Sequence, residues 1–269
     1  LLNYNDICPM TLAVQLIDWY NNNGRDLPWR QTNNPYIIWL SEIILQQTRI
    51  EQGMPYFYKF VEAYPTVKDF AEADEEDLLR LWQGLGYYSR VRNMHKAAKA
   101  VMTEFDGVFP SKYEDVITLT GVGEYTAAAI SSFSINQKKA VLDGNVFRVL
   151  ARYFGIDTAI NSTAGKKQFL TIANEVISDK FPGLYNQAIM DFGATVCKPK
   201  APVCENCILR LDCVAFSKNL IASLPIKTKG KPSRNRYFNY FIIEKDGAYV
   251  FTKRGADDVW ANMYEFPLI

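Results

Sequence analysis

Between residues 11 and 219 apolar side chains return at three- and four-residue spacings, as in Leu12-Leu16-Trp19, Ile37-Leu40-Ile44, Leu78-Leu81-Leu85 and Ala127-Ile130. That period places one apolar stripe on each of a series of helices. Glycines and prolines at Pro28, Pro35, Gly53, Pro65, Gly84, Gly86, Pro110, Gly121 and Gly123 separate them. The acidic stretch 72–77 precedes a leucine-rich run and predicts a helix start, because acids suit the positive end of the helix dipole. After about residue 220 the pattern changes. Residues 224–236 are rich in Pro, Lys and Gly, like a linker. YFNYFII at 237–243 is aromatic and β-branched, Asp246-Gly247 is a hairpin signal, and 248–253 predicts the return strand. The sequence stops sixteen residues later. A lone hairpin cannot bury a core, so this segment is expected to be a truncated domain.

With 269 residues the chain has room for one or two domains, and 48% hydrophobic residues suffice for a real core. No run of eighteen apolar residues occurs, so no membrane span is expected. The first ten residues, LLNYNDICPM, lack the basic-then-apolar order of a secretory signal. A native start at Met10, with residues 1–9 an extension, fits the helical segment that follows it. Net charge is only +1. Its distribution is uneven: residues 197–236 hold nine cations (Lys198, Lys200, Arg210, Lys218, Lys227, Lys229, Lys231, Arg234 and Arg236) against Glu205 and Asp212. Such a window attracts phosphates, although a solvated basic linker would look the same.

Four of the five cysteines, Cys197, Cys204, Cys207 and Cys213, follow a C-x6-C-x2-C-x5-C spacing. Short loops bring four sulfurs together cheaply, enough to wrap one metal centre. Zinc and an iron–sulfur cluster both suit thiolates, and spacing alone leaves them open. A disulfide framework fits a chain of this size poorly. Cys8 is left over as a free thiol.

LTGVG at 119–123 lies between two helical patterns. Its glycines allow a tight turn with exposed amides, and a helix starting near Glu124 would aim its N-terminus beyond that turn, as a phosphate site does. An ordinary helix–helix turn explains a lone G-x-G equally well. In VLDGNVFR at 141–148, Asp143 stands where an N-cap is expected, and capping alone accounts for it.

In combination these segments are more specific. LTGVGEYTAAAI at 119–130, VLDGNVFRVLAR at 141–152 and the four-cysteine loop together resemble the helix-hairpin-helix DNA glycosylase superfamily. LPWR at 27–30, WLSEIILQQT at 39–48 and GLGYYSR at 84–90 resemble its adenine glycosylase branch, the MutY family, over roughly residues 11–269. Thr120 stands where many relatives carry proline, but the flanking glycines remain.

The resemblance implies a mainly α fold of two helical lobes. Residues 30–135 would form a six-helix barrel with the helix-hairpin-helix. Residues 11–29 and 136–219 would form an iron–sulfur cluster lobe. A linker at 220–236 and a partial α+β, MutT-like domain at 237–269 would follow. The cysteine spacing matches the family's [4Fe–4S] loop, and the cluster is expected to be structural. If the chain ends at Ile269, discrimination of 8-oxoguanine from guanine should be impaired. The expected partner is duplex DNA with adenine opposite 8-oxoguanine or guanine, bound by a monomer in the bacterial cytoplasm, at the nucleoid.

Carried over by position, Glu42 matches the general acid and Asp143 the carboxylate beside the sugar. Asn145 could orient a carboxylate or a water. Tyr125 occupies the place where endonuclease III-like lyases have a Schiff-base lysine, and a tyrosine cannot form that imine. A monofunctional glycosylase is therefore expected. Arg30 and Gln187 match base-pocket positions, Gln47 and Tyr87 match residues that wedge into the base stack, and Gly121 and Gly123 form the hairpin. The only histidine, His95, follows Arg90 and Arg92 and reads as a surface residue without a catalytic role.

The chemistry asks for this pair of acids. A stacked adenine must be turned out of the duplex, and it leaves well only when protonated. A carboxylic acid can supply that proton near neutrality only if burial raises its pKa from about 4.3. The apolar surroundings of Glu42 in WLSEIIL suit such a rise. An ionised Asp143 would stabilise the positive sugar, the division of labour of paired glycosidase carboxylates.

Overall fold

The computed structural model describes residues 9–228, 235–255, 260 and 263–268. Cys8 and, from the basic window, Lys229, Lys231 and Arg234 lie outside them.

Helices come first in the chain: α1 (Pro9–Asn23), α2 (Pro35–Ile44), α3 (Ile50–Ala63), α4 (Val67–Glu72), α5 (Glu75–Leu81), α6 (Ser89–Glu104), α7 (Tyr113–Val116), α8 (Glu124–Ile135), α9 (Gly144–Phe154), α10 (Thr163–Val176), α11 (Pro182–Thr195) and α12 (Val214–Ser217). Local chemistry sets their starts. Asn34 accepts the Tyr36 amide at 3.0 Å and Pro35 opens α2. Thr66 and Asp69 form a capping box on α4. The acidic stretch divides: Glu72 closes α4, while Asp74 caps α5 by accepting the Glu76 amide at 2.8 Å.

The helices pack around two hydrophobic cores. One centres on Trp39, Phe60, Phe70 and Trp82, whose rings meet edge-on or stacked at centroid distances of 5.7–5.9 Å. The other gathers Leu12 and Leu16 of α1 with Val149, Phe169, Tyr185 and Phe192 of α9, α10 and α11. Helix α8 belongs to both, giving Ala127 and Ile130 to the first and Ala128 and Ala129 to the second. That is why TAAAI has no polar face. The stretch expected to be a linker from residue 220 is packed onto this unit as far as Thr228. Leu224 is buried and its carbonyl accepts from Arg152 Nε at 3.0 Å, while Ile160 N donates to Ile226 O at 2.9 Å. His95 is not a surface residue: it is buried against Phe70, with Nε2 3.2 Å from Ala71 O, because its position on α6 faces the first core.

The chain divides after Thr228. In the second unit β1 (Glu244–Lys245) pairs antiparallel with β2 (Ala248–Tyr249), and β3 (Thr252–Lys253) with β4 (Tyr264–Glu265). Asp246 and Gly247 take positive φ of 54° and 79°, as the Asp-Gly signal requires. The strand predicted at 237–243 is not formed; only Tyr240 makes a bridge, to Leu268. The return strand breaks at Val250 and Phe251. Pairs this short bury little, and Phe241, Ile242, Tyr249 and Phe251 are exposed. Among the described residues no helix is long and apolar enough to cross a membrane.

Candidate active site

Glu42 sits on the third turn of α2 between buried Ser41 and Ile43 and is only 8% exposed. It is not the solvated acid of an amphipathic helix. It opens into a cleft of about 590 Å³ lined by Arg30, Gln46, Gln47, Tyr125, Asp143, Asn145 and Met190, among others. Burial pushes its pKa up to about 7; a hydrogen bond from Tyr125 and the charge of Arg30 pull downward, and the Asp143 charge pushes further up. Tyr125 comes from the first turn of α8, and its hydroxyl also touches Met190 Sδ at 4.0 Å.

Asp143 reaches the cleft as the N-cap of α9. Its Oδ1 accepts the amides of Asn145 at 2.9 Å and Val146 at 2.7 Å, and its Oδ2 accepts Asn145 Nδ2 at 2.7 Å. One carboxylate thus both caps α9 and lines the cleft. Burial raises the Asp143 pKa, against these three donors and the Arg148 charge. Both acids shift upward, but Glu42 has one hydrogen-bond donor and Asp143 a full set. Asn145 is held in turn by Arg148, whose Nη2 donates to Asn145 Oδ1 at 2.8 Å and Gly193 O at 2.6 Å, and whose Nε donates to Cys197 O at 2.6 Å.

Helix α11 crosses this point closely. A Cβ on Gly193 would fall 2.6 Å from Asn145 Cβ. Gly193→Ala should therefore push Asn145 off Asp143, lowering single-turnover excision about tenfold or more while costing about 1–3 kcal/mol of stability. Excision kinetics and thermal melts measured together check this, and unchanged kinetics would contradict it.

Arg30 is buried beside the cleft by a carboxylate that sequence reading missed. Asp191, 0% exposed, accepts Arg30 Nη2 at 2.6 Å and Nη1 at 2.7 Å, and Arg25 Nη2 at 2.5 Å. Gln187 is not among the residues lining the cleft. It stands two hydrogen bonds behind the wall, accepting the Tyr20 hydroxyl at 3.0 Å, which itself accepts Arg30 Nη1 at 3.1 Å.

The hairpin forms as expected between α7 and α8. Gly121 has φ +81°, and a Cβ there would meet Asn93 Cβ at 2.8 Å; around Gly123 the space is open. The first turn of α8 thus leaves its amides free of side-chain capping. Gln47 and Tyr87 lie outside the helices. Both are exposed at turns, Tyr87 by 65%, in left-handed conformations with φ 55° and 48°.

The four clustered cysteines lie on one loop between α11 and α12. All four are free, half-buried thiols. Burial, with the other three nearby, pushes Cys207 up to about 11 and also raises Cys204 and Cys213. Arg152 Nη1 approaches Cys197 Sγ at 3.5 Å and donates to Lys198 O at 2.8 Å. Among the described residues, no three His, Cys, Asp or Glu side chains converge as the ligands of a single ion would.

Sequence reading also left Arg25 unremarked and gave Arg90, Arg148 and Arg152 only places in motifs. The available signal for Asp191 was a lone acid inside the apolar run IMDF; the arginines gave none, since each also bonds partners more than forty positions away.

Residues 40–175 match the HhH-GPD superfamily of base excision DNA repair proteins. The adenine DNA glycosylase of Buchnera aphidicola subsp. Acyrthosiphon pisum is 35% identical over 253 residues, covering 94% of this chain and 72% of that one. Among solved structures, a thermostable thymine-DNA glycosylase superposes with a TM-score of 0.72 at 27% identity, over 78% of this chain and 97% of its own. A non-covalent endonuclease III–DNA complex shares the fold, with a TM-score of 0.67 at 18% identity over 80% of this chain and 99% of its own. The chain belongs to the adenine DNA glycosylase family within this base excision repair superfamily, and is a DNA glycosylase.

Proposed function

We propose that the enzyme hydrolyses the N-glycosidic bond of adenine mispaired with 8-oxoguanine or guanine in duplex DNA. The observation that carries this is the shared cleft: Glu42 and Asp143, 101 positions apart in sequence, line one space of about 590 Å³ with Tyr125. The α8 amides and the hairpin hold the backbone phosphates, while Gln47 and Tyr87 fill the gap in the stack left by the extruded adenine. Protonated Glu42 gives its proton to a ring nitrogen. The bond from C1′ to the base breaks with its electrons moving to the purine, which leaves neutral. The carboxylate of Asp143, oriented by Asn145, stabilises the sugar cation. Water adds to C1′, releases a proton, and leaves an abasic sugar. Arg30, backed by Tyr20 and Gln187, forms the polar wall on the base side.

The residues around the cysteine loop fit a [4Fe–4S] cluster. Four half-buried thiols on one loop supply one thiolate for each iron of such a group: Cys197, Cys204, Cys207 and Cys213. When bound, the cluster supplies rigidity to a loop with no core of its own and takes no part in bond cleavage. Lys198 and Lys200 would then face the DNA backbone as fixed cations, whereas Arg210 is paired with Glu205 at 3.1 Å. Residues 237–269 serve as part of a MutT-like domain contacting the base opposite adenine.

The test is incubation of the full chain with an 8-oxoguanine:adenine duplex, with and without later alkali. Strand breaks are expected only after alkali, and borohydride should trap no covalent complex, since Tyr125 replaces the lysine a lyase needs. Trapping would favour an endonuclease III-like lyase. Tight duplex binding with no adenine released would favour a binding module.

A further inference from the structure

Arg90, at the start of α6, spends its guanidinium on two turns far apart in sequence. Its Nη1 donates to Ile43 O at 2.9 Å, Ile44 O at 3.3 Å and Gln46 O at 2.7 Å. Its Nη2 donates to Leu85 O at 3.2 Å and Gly86 O at 3.3 Å. The plane lies over the Trp82 ring at 4.9 Å and near the Tyr87 ring at 5.8 Å. The side chain is half-buried, and burial lowers its pKa.

Two of those carbonyls have a particular place. Gln46 O and Gly86 O belong to the peptide groups that lead directly into Gln47 and Tyr87, the two exposed residues with positive φ. A non-glycine residue holds that conformation only when its surroundings over-determine it. By fixing both peptide planes with one rigid fork, Arg90 sets the spacing and direction of the two side chains relative to each other. Lysine cannot do the same, since a compact ammonium has no planar fork to span both turns.

We propose that Arg90 is a positioning residue for the stack-filling pair: it locks the Gln47 turn to the Tyr87 turn so that both side chains enter the duplex together. This rests on the reading that Gln47 and Tyr87 fill the stack. It assigns Arg90 no contact with the base, and its donors already bonded to carbonyls are not offered to phosphate.

The test uses the full chain with a mismatch duplex carrying 2-aminopurine beside the target adenine, so that fluorescence reports unstacking and single turnover reports excision. Gln47→Ala and Tyr87→Ala should each weaken the fluorescence rise and slow excision. Arg90→Lys should lose both by about tenfold. In a Gln47→Ala/Tyr87→Ala background the same Arg90 change should cost less than about twofold, the signature of residues acting as one unit. The slope of log affinity against log salt should not move. An undiminished Arg90 loss in that background, or a slope reduced by about one as for a lost phosphate contact, would overturn the proposal. If Gln47→Ala and Tyr87→Ala change neither readout, the stack-filling reading falls first and the proposal with it, a separable outcome. Should Arg90→Lys fail to fold, hydrogen exchange on the unaltered chain decides. The amides of Thr48 and Leu85, which close the two turns by bonding Leu45 O and Trp82 O, should exchange at least about tenfold slower than free peptide. Free-peptide rates there would refute the lock.

Discussion

Glu42→Gln is expected to slow adenine release by about 100-fold to 10,000-fold in single turnover, the range over which a positioned general acid contributes. Gln keeps the shape and can still donate a weak hydrogen bond, but it has no proton to give up. The wild-type rate should carry the same signature in pH. With the Glu42 pKa pushed up to about 7, the protonated form is depleted as pH rises through 7, and excision should decline there. The variant's residual rate should lack that limb. Stability gives an independent check. Below about pH 4.5 Glu42 is neutral in both the folded and unfolded chain and has no effect on the balance. Above it the unfolded chain ionises first, so folding is disfavoured progressively until the folded pKa is passed. From a shift of this size the cost is about 3 kcal/mol above pH 7. Melts of Glu42→Gln should overtake wild type as pH rises from about 4.5 to 8 and coincide with it below. A pH-independent difference would remove the raised acid from the mechanism.

The second large effect concerns Asp191. Its carboxylate is fully buried between two guanidinium groups. Burial alone would raise its pKa, yet hydrogen bonds and charge from Arg30 and Arg25 outweigh it and hold the group below the usual carboxylate range. Removing the anion with Asp191→Asn leaves Arg30 enclosed without a counterion, a situation that costs about 3–5 kcal/mol. For a unit of this size the melt should fall by roughly 10 °C. The pH dependence follows from the depressed value. The stabilisation is complete above the ordinary carboxylate pKa and is lost as pH falls through the lowered one, so wild type should converge on Asp191→Asn in acid. A melt within 2 °C of wild type at pH 7 would mean that the clamp contributes nothing.

Much of the helical framework was legible in the sequence. Spacing located α1, α2, α5 and α8, and Asp143 was read as an N-cap. The Asp-Gly turn fell where expected. Other features could not be seen because they depend on distant partners. Whether Glu42 faced solvent or the cleft was undecidable from one helix, since WLSEIIL is apolar on every side. Asp191 and Arg25 meet across 166 positions. His95 looked exposed beside two arginines, yet the face that counts is set by Phe70 and Ala71 from another helix. The strand expected at 237–243 failed because strand propensity needs neighbours to pair with, and only short pairs form there.

Helix α8 lies in both cores and carries Tyr125 and the hairpin at its leading end. Because α8 is shared by both packed bodies, any movement of one against the other must bend α8 or carry it along. Bending of the nucleic acid is expected to take up the accommodation that the protein does not. Mispairs flanked by easily kinked pyrimidine–purine steps should accordingly be processed faster than those set in stiff A-tracts.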